Sequence, residues 1–543
     1  MTNPLLALES ATVVLPDGRT LFSALDYAFD QRPTALVGRN GVGKSVLARV
    51  LAGQLPLTTG RCLRSGSVHY LPQQIDQAAH ASVAALAGVA APLAALAQIE
   101  AGSADPVHFD TLAERWNLRR ELHSELALAG LAHLRAETPA QTLSGGEAMR
   151  VALVGAQLSA ADFLILDEPS NHLDRPNRLA LLAQLQRWPR GLLVISHDRQ
   201  LLQGMSHTLE LSPSGLRSYG GGYAFYAQCK AEERAAAVAQ LEQRKTERRR
   251  EELALREQRE RQERRQANGN REAREANQAK ILLGLRKDRS EDSAGKLRLQ
   301  QAQRREIVSE RVREAAQQVE KAASVTLHAQ GAATPAQRRV AQLDAVDLPF
   351  VAPALRRIDL LLGGRQRIAV SGPNGCGKST LLKVLAGLLP PLRGTRQAWL
   401  RPAYLDQHLA GLDPQQSTLQ QLTAANHSAG EDVLRTYLAQ LDLDAQRILL
   451  PSGLLSGGER LKAALACALY ADPPAQWLLL DEPGNHLDLA SLQALEAMLQ
   501  QYPGALAVVS HDEAFLDRLG LTHRLQATAQ GWRMEAYDAV SLP

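Results

Sequence analysis

The sequence predicts an α/β protein built from two tandem P-loop cassettes, each an α/β core with a helical subdomain, joined by a long charged α-helical hairpin. Two observations predict it. One string of phosphate-handling motifs occurs twice in the same order, and the stretch between the copies is rich in Arg, Glu, Gln and Ala but poor in Pro and aromatics. A chain of 543 residues has room for two to four domains with cores of their own. The repeat divides it into residues 1–227, 228–325 and 326–543.

Each cassette opens with a short strand, Thr34 to Val37 and Arg367 to Val370, that runs into a glycine loop and then a helix. Further strands are read at Phe163 to Leu166 and Leu192 to Ile195, matched by Trp477 to Leu480 and Leu506 to Val509. Short continuous apolar runs between helical stretches are what strands covered on both faces of a sheet require. From Gln73 to Ser144 is a step of 71 residues, whereas Gln407 to Ser456 is 49, so the first copy carries 22 more. A longer surface loop or a contact element for a partner both fit that excess.

Bulk properties narrow the class. The net charge is +4, but residues 230–321 hold 25 basic and 18 acidic side chains, leaving 36 and 39 for the rest. The positive character therefore belongs to the middle segment. Cys62, Cys229, Cys376 and Cys467 are far apart and make no Cys-x-x-Cys pair, which fits a reduced cytosol better than a disulfide framework or zinc site. The N-terminus lacks the basic start of a secretory signal. Ala81 to Ile99 is apolar but alanine-rich and broken by Pro92, so it reads as a buried helix rather than a membrane span.

The repeated motifs carry the chemistry. In the loops Gly38, Arg39, Asn40, Gly41, Val42, Gly43, Lys44, Ser45 and Gly372, Pro373, Asn374, Gly375, Cys376, Gly377, Lys378, Ser379, successive backbone N–H groups and a helix start face phosphate oxygens. Lys44 and Lys378 suit the terminal phosphates, and Ser45 and Ser379 suit Mg²⁺. Thr380 adds a hydroxyl that its counterpart Val46 lacks. Asp167 and Asp481 end apolar strands and suit the Mg²⁺ shell; Glu168 and Glu482 follow and are placed to polarise an attacking water. His197 and His511 end the next strand, where an imidazole reaches a γ-phosphate. Any one of these residues has a structural reading by itself, but the shared order does not. The chain is expected to hydrolyse ATP with Mg²⁺.

The middle segment, about Cys229 to Lys321, favours helix by composition. Its first part has no large apolar side chain from Glu242 to Glu252, while the second shows a stripe at Val308, Val312, Ala316 and Val319. Between them a glycine-containing basic stretch reads as the hairpin tip, with Lys280, Arg286, Lys287, Arg289, Lys296 and Arg298 as phosphate-pairing candidates. Asn268-Gly-Asn270 is a competing place for the turn. A charged helix is often only a solvated face, yet a hairpin this thinly apolar gains little from packing on itself.

These residues resemble the ATP-binding cassette superfamily, and within it the ABC-F family. The features that carry the resemblance are Leu143-Ser-Gly-Gly-Glu147 and Leu455-Ser-Gly-Gly-Glu459, the Asn-His-Leu-Asp that ends at Asp174 and Asp488, the fused cassettes, and a charged linker entered through Tyr219-Gly-Gly-Gly-Tyr223 and Tyr226. The resemblance implies that the cassettes close face to face on two ATP molecules within one chain, so that the protein is a monomer. Site one would pair Gly38 to Ser45 with Val46, Gln73, Asp167, Glu168 and His197 against Ser456, Gly457, Gly458 and Glu459. Site two would pair Gly372 to Thr380, Gln407, Asp481, Glu482 and His511 against Ser144, Gly145, Gly146 and Glu147. Gln73 and Gln407 would complete the Mg²⁺ shells. The family's linker enters the ribosomal exit-tRNA site, so the implied partners are rRNA and P-site tRNA, in the cytoplasm and without a membrane domain.

Three departures from the family pattern stand out. Gly484 replaces Ser170, removing a candidate cross-interface hydroxyl; Val46 replaces a threonine; and the adenine platform, placed at Phe350 in the second cassette, has only Phe22 or Tyr27 as counterparts in the first. A translation factor and an antibiotic-resistance protein that protects ribosomes both fit. A DNA-associated ATPase would also use a basic linker, since phosphate contacts carry no sequence information, and the ATPase subunit of an exporter is disfavoured by the long charged linker.

Overall fold

The central sheet of the first cassette follows from its buried apolar strands. In spatial order these are Val68–Leu71, Phe163–Asp167, Gly191–Ile195, Thr34–Gly38, His207–Ser212 and Gly215–Gly220, all parallel except the last, which returns as a hairpin. The second cassette repeats the order with Pro402–Leu405, Trp477–Asp481, Ala505–Val509, Arg367–Ser371, His523–Thr528 and Gly531–Ala536. Phe163–Asp167 and Gly191–Ile195 are buried at every position, as strands covered on both faces must be. The computed structural model describes residues 5–159, 161–171, 173–275, 302–316, 338–485 and 487–537.

Each core carries a second, antiparallel sheet of three strands. It is Thr20–Phe29, Leu6–Val14 and Thr59–Arg64 in the first cassette, and Arg357–Gly363, Arg339–Asp347 and Arg393–Ala398 in the second. The phosphate-loop helices Lys44–Leu51 and Lys378–Ala386 pack between the two sheets through Leu47 and Leu51, and through Leu381 and Leu385.

The helical subdomains differ, and the difference accounts for the 22-residue excess. The first contains Val83–Leu86, Ala90–Glu100, Pro106–Leu112 and Leu118–Leu128; the second has Thr418–Ala425 and Glu431–Gln440 in the same stretch. The surplus is therefore not a loop. Ala90–Glu100 and Pro106–Leu112 close a small core of their own around Ala95, Leu96 and Leu112. The apolar run from Ala81 to Ile99 becomes two short helices, and no helix among the described residues is long and apolar enough to cross a membrane.

By contacts the chain forms two compact units, Met1–Tyr226 with Val325–Pro543, and Ala227–Ser324. The helix Tyr223–Glu275, most of it in the second unit, runs unbroken for about 80 Å at the α-helical rise. It passes straight through Asn268-Gly-Asn270, so that triplet is not the turn. Pairs such as Arg244–Glu247 at 2.8 Å and Arg256–Glu260 at 3.2 Å lace its surface and stabilise it by a few tenths of a kcal/mol each. A helix over residues 302–316 returns alongside, with Arg304 on Glu251 at 3.0 Å; Val308, Val312 and Ala316 of the stripe are half-buried, and Ala315 beside them is buried. The basic tip residues Lys280, Arg286, Lys287, Arg289, Lys296 and Arg298 lie outside the described residues, as does Val319.

Candidate functional site

Both phosphate loops leave the C-terminal end of a central strand and turn at once into a helix. Gly43 and Gly377 cap those helices at φ 104° and 99°, a conformation that glycine adopts without strain. A Cβ at Gly377 would also run into the Val351 side chain. Lys44 Nζ donates to the carbonyls of Gly38 at 2.8 Å and Arg39 at 3.2 Å, and Lys378 Nζ to those of Gly372 at 2.9 Å and Pro373 at 3.0 Å. Each ammonium is thus held over its own loop. Burial pulls Lys44 below the ordinary lysine range, opposed by Glu168, Asp488 and Asp167.

Asp167 and Asp481 end their strands beside these loops. The Tyr70 hydroxyl donates to Asp167 Oδ2 at 3.2 Å, and Tyr404 to Asp481 Oδ2 at 3.1 Å. Ser45 bonds the Asp167 carboxylate, whose acidity burial weakens, while Asp167 Oδ1 is buried without a hydrogen-bond partner among the described residues. A buried carboxylate with a spare oxygen next to a loop serine is a donor set suited to a hard cation. Ser45, Asp167 and Gln73 line one cleft and could hold Mg²⁺ there. Ser379, Asp481 and Gln407 are their counterparts in the second copy.

Glu168 and Glu482 both sit at φ 49°, in left-handed backbone that a glutamate rarely adopts. Their amides donate to Ile195 at 2.8 Å and Val509 at 2.9 Å on the neighbouring strand, which holds the turn. Burial pushes the Glu168 carboxyl up to about 8 and Glu482 to about 7, with Lys44 and Lys378 opposing. His197 Nε2 lies 3.5 Å from Glu168 Oε1, and His511 Nε2 lies 3.5 Å from Glu482 Oε1. Burial drives these imidazoles down to about 3 and about 4, so both are neutral near pH 7. A carboxyl whose folded value lies near neutrality exchanges its proton at working pH, and in its ionised form it can take a proton from water.

The cassettes meet, and their loops reach across. The Asn40 amide donates to Asp488 Oδ2 at 3.0 Å and the Asn374 amide to Asp174 Oδ2 at 3.2 Å. A cavity of about 480 Å³ lies in the seam, within the range of small-molecule sites. Asn40, Gly41, Gly43, Lys44, Ser45, Val46, Gln73, Asp167, Glu168 and His197 line it from the first cassette; Glu482, Gly484, Asn485, Leu492 and Asp512 line it from the second.

Several expectations need revision. Ser144 and Ser456 open the helices Gly145–Leu158 and Gly457–Leu469 with full capping boxes. Glu147 Oε2 accepts from the Ser144 amide at 2.8 Å, and Glu459 Oε2 from the Ser456 amide at 2.8 Å. In this arrangement the two glutamates serve the caps, and neither they nor Ser144 to Gly146 and Ser456 to Gly458 line the cavity. The Ser170 hydroxyl does not cross the interface: it pairs with Ser196 of its own cassette at 3.3 Å. Gly484 instead leaves room for Leu492, whose Cδ1 would stand 3.2 Å from an added Cβ. Phe22, at 2% exposure, is core and unavailable to a base. Tyr27 packs edge-on against Phe29. Leu15, Arg19 and Leu21 line the first site's cavity instead. Phe350, expected at the second cassette's nucleotide, is 90% exposed at φ 60°.

Sequence reading missed Tyr70 and Tyr404 behind the metal carboxylates, Asp174 and Asp488 as bridges between cassettes, and Arg178. Arg178 lines the cavity and pairs with Asp198 at 3.0 Å, where the second copy has Leu492. For the tyrosines a signal existed, since each precedes its glutamine, Gln73 or Gln407, by the same interval.

Comparison with known proteins agrees with this geometry. The family described as ABC transporter matches residues 29–171 and 355–485. The tylosin resistance ATP-binding protein TlrC of Streptomyces fradiae is 32% identical over 534 residues, covering 93% of this chain and 94% of that protein. The energy-dependent translational throttle protein EttA of Mycobacterium tuberculosis is 30% identical over 426 residues, covering 75% of this chain and 67% of its own length. Among solved structures, the archaeal ribosome recycling factor aABCE1, in complex with the ribosomal stalk protein aP1, has a TM-score of 0.57. At 18% identity, over 97% of this chain and 89% of that one, it shares the fold.

Proposed function

Since the chain belongs to the ABC-F family of ATP-binding cassette ATPases, we propose that it binds the ribosome and acts on translation through its linker. Residues 228–325 are the acting arm, and residues 1–227 and 326–543 are the engine. It binds and hydrolyses ATP. The observation that carries the ribosomal reading is end-to-end similarity to a resistance ATPase, joined to substantial similarity to a translational throttle. The linker's surplus of arginine and lysine supports a partner rich in phosphate, and affinity for it falls steeply with salt. In this reading the tip approaches P-site tRNA from the exit site, in the cytoplasm.

The chemistry follows from residues in matching pairs. Loop amides and Lys44 or Lys378 hold the β- and γ-phosphates of ATP. Ser45, Gln73 and Asp167, or Ser379, Gln407 and Asp481, would hold Mg²⁺, which neutralises charge on the transferring phosphoryl group. Tyr70 and Tyr404 fix the orientation of the two aspartates. Glu168 and Glu482 orient the attacking water and accept its proton, and neutral His197 and His511 reach the γ-phosphate. The helix starts at Ser144 and Ser456 face the opposite cassette's nucleotide as anion sites, so ATP holds the halves together and hydrolysis releases them.

Sucrose-gradient sedimentation of the Glu168→Gln, Glu482→Gln chain with ATP tests the proposal. The trapped protein is expected to travel with ribosomes and to block translation in an extract, whereas the wild type does neither stably. A trapped protein that stays at the top of the gradient and is retained by branched DNA would refute the ribosomal reading.

A further inference from the structure

One contact between the cassettes is built unlike the rest. Arg199 Nη1 meets Glu496 Oε1 at 2.6 Å, with the two side chains only 3% and 4% exposed. Arg518 closes on the other carboxylate oxygen at 3.1 Å. Burying such a pair is costly unless the geometry is good and the remaining hydrogen-bonding groups are satisfied, so its position calls for a reason. Arg199 directly follows His197 and Asp198 of the first site. Its Nε and Nη2 have no hydrogen-bond acceptor among the described residues, and its guanidinium carbon stands 5.7 Å from the ring centroid of Tyr223. From the second cassette, Gln493 Nε2 reaches the Tyr223 hydroxyl at 3.5 Å. Tyr223 is the first residue of the helix that becomes the linker.

The arrangement is one-sided. In the repeat, Arg199 corresponds to Glu513 and Glu496 to Leu182, so the reciprocal contact cannot form. Glu513 pairs instead with Arg175 at 3.3 Å and Arg524 at 2.6 Å. Among the described residues, the contacts that cross between the cassettes include this buried cation, held by a carboxylate on one side and an aromatic face on the other, a pairing strengthened by desolvation.

We propose that Arg199 is a positioning residue that transmits cassette pairing to the linker: Glu496 of the second cassette holds its guanidinium against Tyr223, fixing the first turn of the linker helix. When the cassettes part, Glu496 and Gln493 leave together, and the helix start loses both of its anchors from the second cassette. The device operates whatever the linker touches, so it does not depend on the ribosomal reading.

Hydrogen exchange read by mass spectrometry on the full Glu168→Gln, Glu482→Gln chain tests it. ATP should slow exchange in both phosphate loops and in the peptide that begins at Tyr223. With Arg199→Ala, the loops should still slow while the helix start exchanges faster by about tenfold or more. Arg199→Lys, which keeps a cation between Glu496 and Tyr223, should restore most of the protection. Glu496→Gln, made on the opposite cassette, should reproduce the loss should the alanine chain fail to fold. Full slowing at the helix start in either Arg199→Ala or Glu496→Gln would overturn the proposal. So would loss of slowing everywhere, because Arg199 would then merely support pairing.

Discussion

Asp488 performs two tasks with its two oxygens, and substitution can separate them. Oδ1 accepts from the Ser491 amide at 2.8 Å and caps the helix Leu489–Gln501, while Oδ2 accepts from the Asn40 amide in the other cassette at 3.0 Å. Although burial opposes it, bonds from Asn40 and Ser491 hold this carboxyl below the ordinary aspartate range. Asp488→Ala removes both. The lost cap costs about 1 kcal/mol, which lowers Tm by roughly 2–4 °C in a cassette of this size. The lost charge-assisted bond costs about 1.5–3 kcal/mol. If that bond belongs to the ATP-bound arrangement, the second cost appears as roughly a ten- to hundredfold weaker ATP affinity. The assay is equilibrium titration of the non-hydrolysing Glu168→Gln, Glu482→Gln chain with a fluorescent ATP analogue. One of the two binding events should weaken, and Asp488→Asn, an equally good cap, should restore Tm with an intermediate affinity. A chain with the lower Tm but unchanged affinity would show that the bridge plays no part in holding ATP.

Four further outcomes follow from the geometry. Glu168 and Glu482 titrate above the ordinary 4.5 when folded, at about 8 and about 7, so their contribution is full below that value and is lost as pH rises through the folded values. Without nucleotide, the Tm of the wild type should therefore fall from about pH 5 to pH 9 relative to the Glu168→Gln, Glu482→Gln chain, as calorimetry would read; the buried histidines are common to both. Glu147→Ala should cost about 1 kcal/mol in denaturant unfolding, while Glu147→Gln, which preserves the capping box, should cost little. Gly484→Ser should change the second cassette's stability by no more than about 1 kcal/mol, since its Cβ needs the Leu492 side chain, which borders the cavity, to give by a few tenths of an ångström; Gly484→Ser with Leu492→Ala should remove that crowding. Tyr70→Phe frees Asp167 Oδ2 and should raise the Mg²⁺ concentration needed for half-maximal ATPase activity, with little change in Tm.

The parts of the fold legible in the sequence were those whose physics is local. A strand such as Phe163–Asp167 must be apolar up to the residue it delivers to the site, and a phosphate loop must have glycine where φ is positive, so both announce themselves in short windows. Capping boxes are equally local: Ser144 with Glu147 and Ser456 with Glu459 stand at the spacing that closes one. What the sequence hid were contacts between distant positions. Asn40 and Asp488 are 448 residues apart, and nothing near either one specifies the other. The Ser170 to Gly484 change looked like a lost interface hydroxyl, whereas packing ties it to Ser196 on one side and Leu492 on the other. The 22-residue excess read as loop or contact element because its alanines show no strong helical periodicity; its small core gives it shape.

The left-handed turn at Glu168 and Glu482 sets folding against work at the same two positions. Each glutamate holds a backbone conformation costing about 1–3 kcal/mol, on top of burying a carboxyl in an apolar strand end. Glycine would relieve both burdens, and asparagine much of them, while abolishing the proton acceptor. A laboratory population selected only for heat resistance should therefore drift toward silent enzymes at these codons. Variants that keep glutamate there under such selection would have to find their added stability elsewhere, and the substitutions they accumulate would map the regions of the cassettes that turnover leaves free to change.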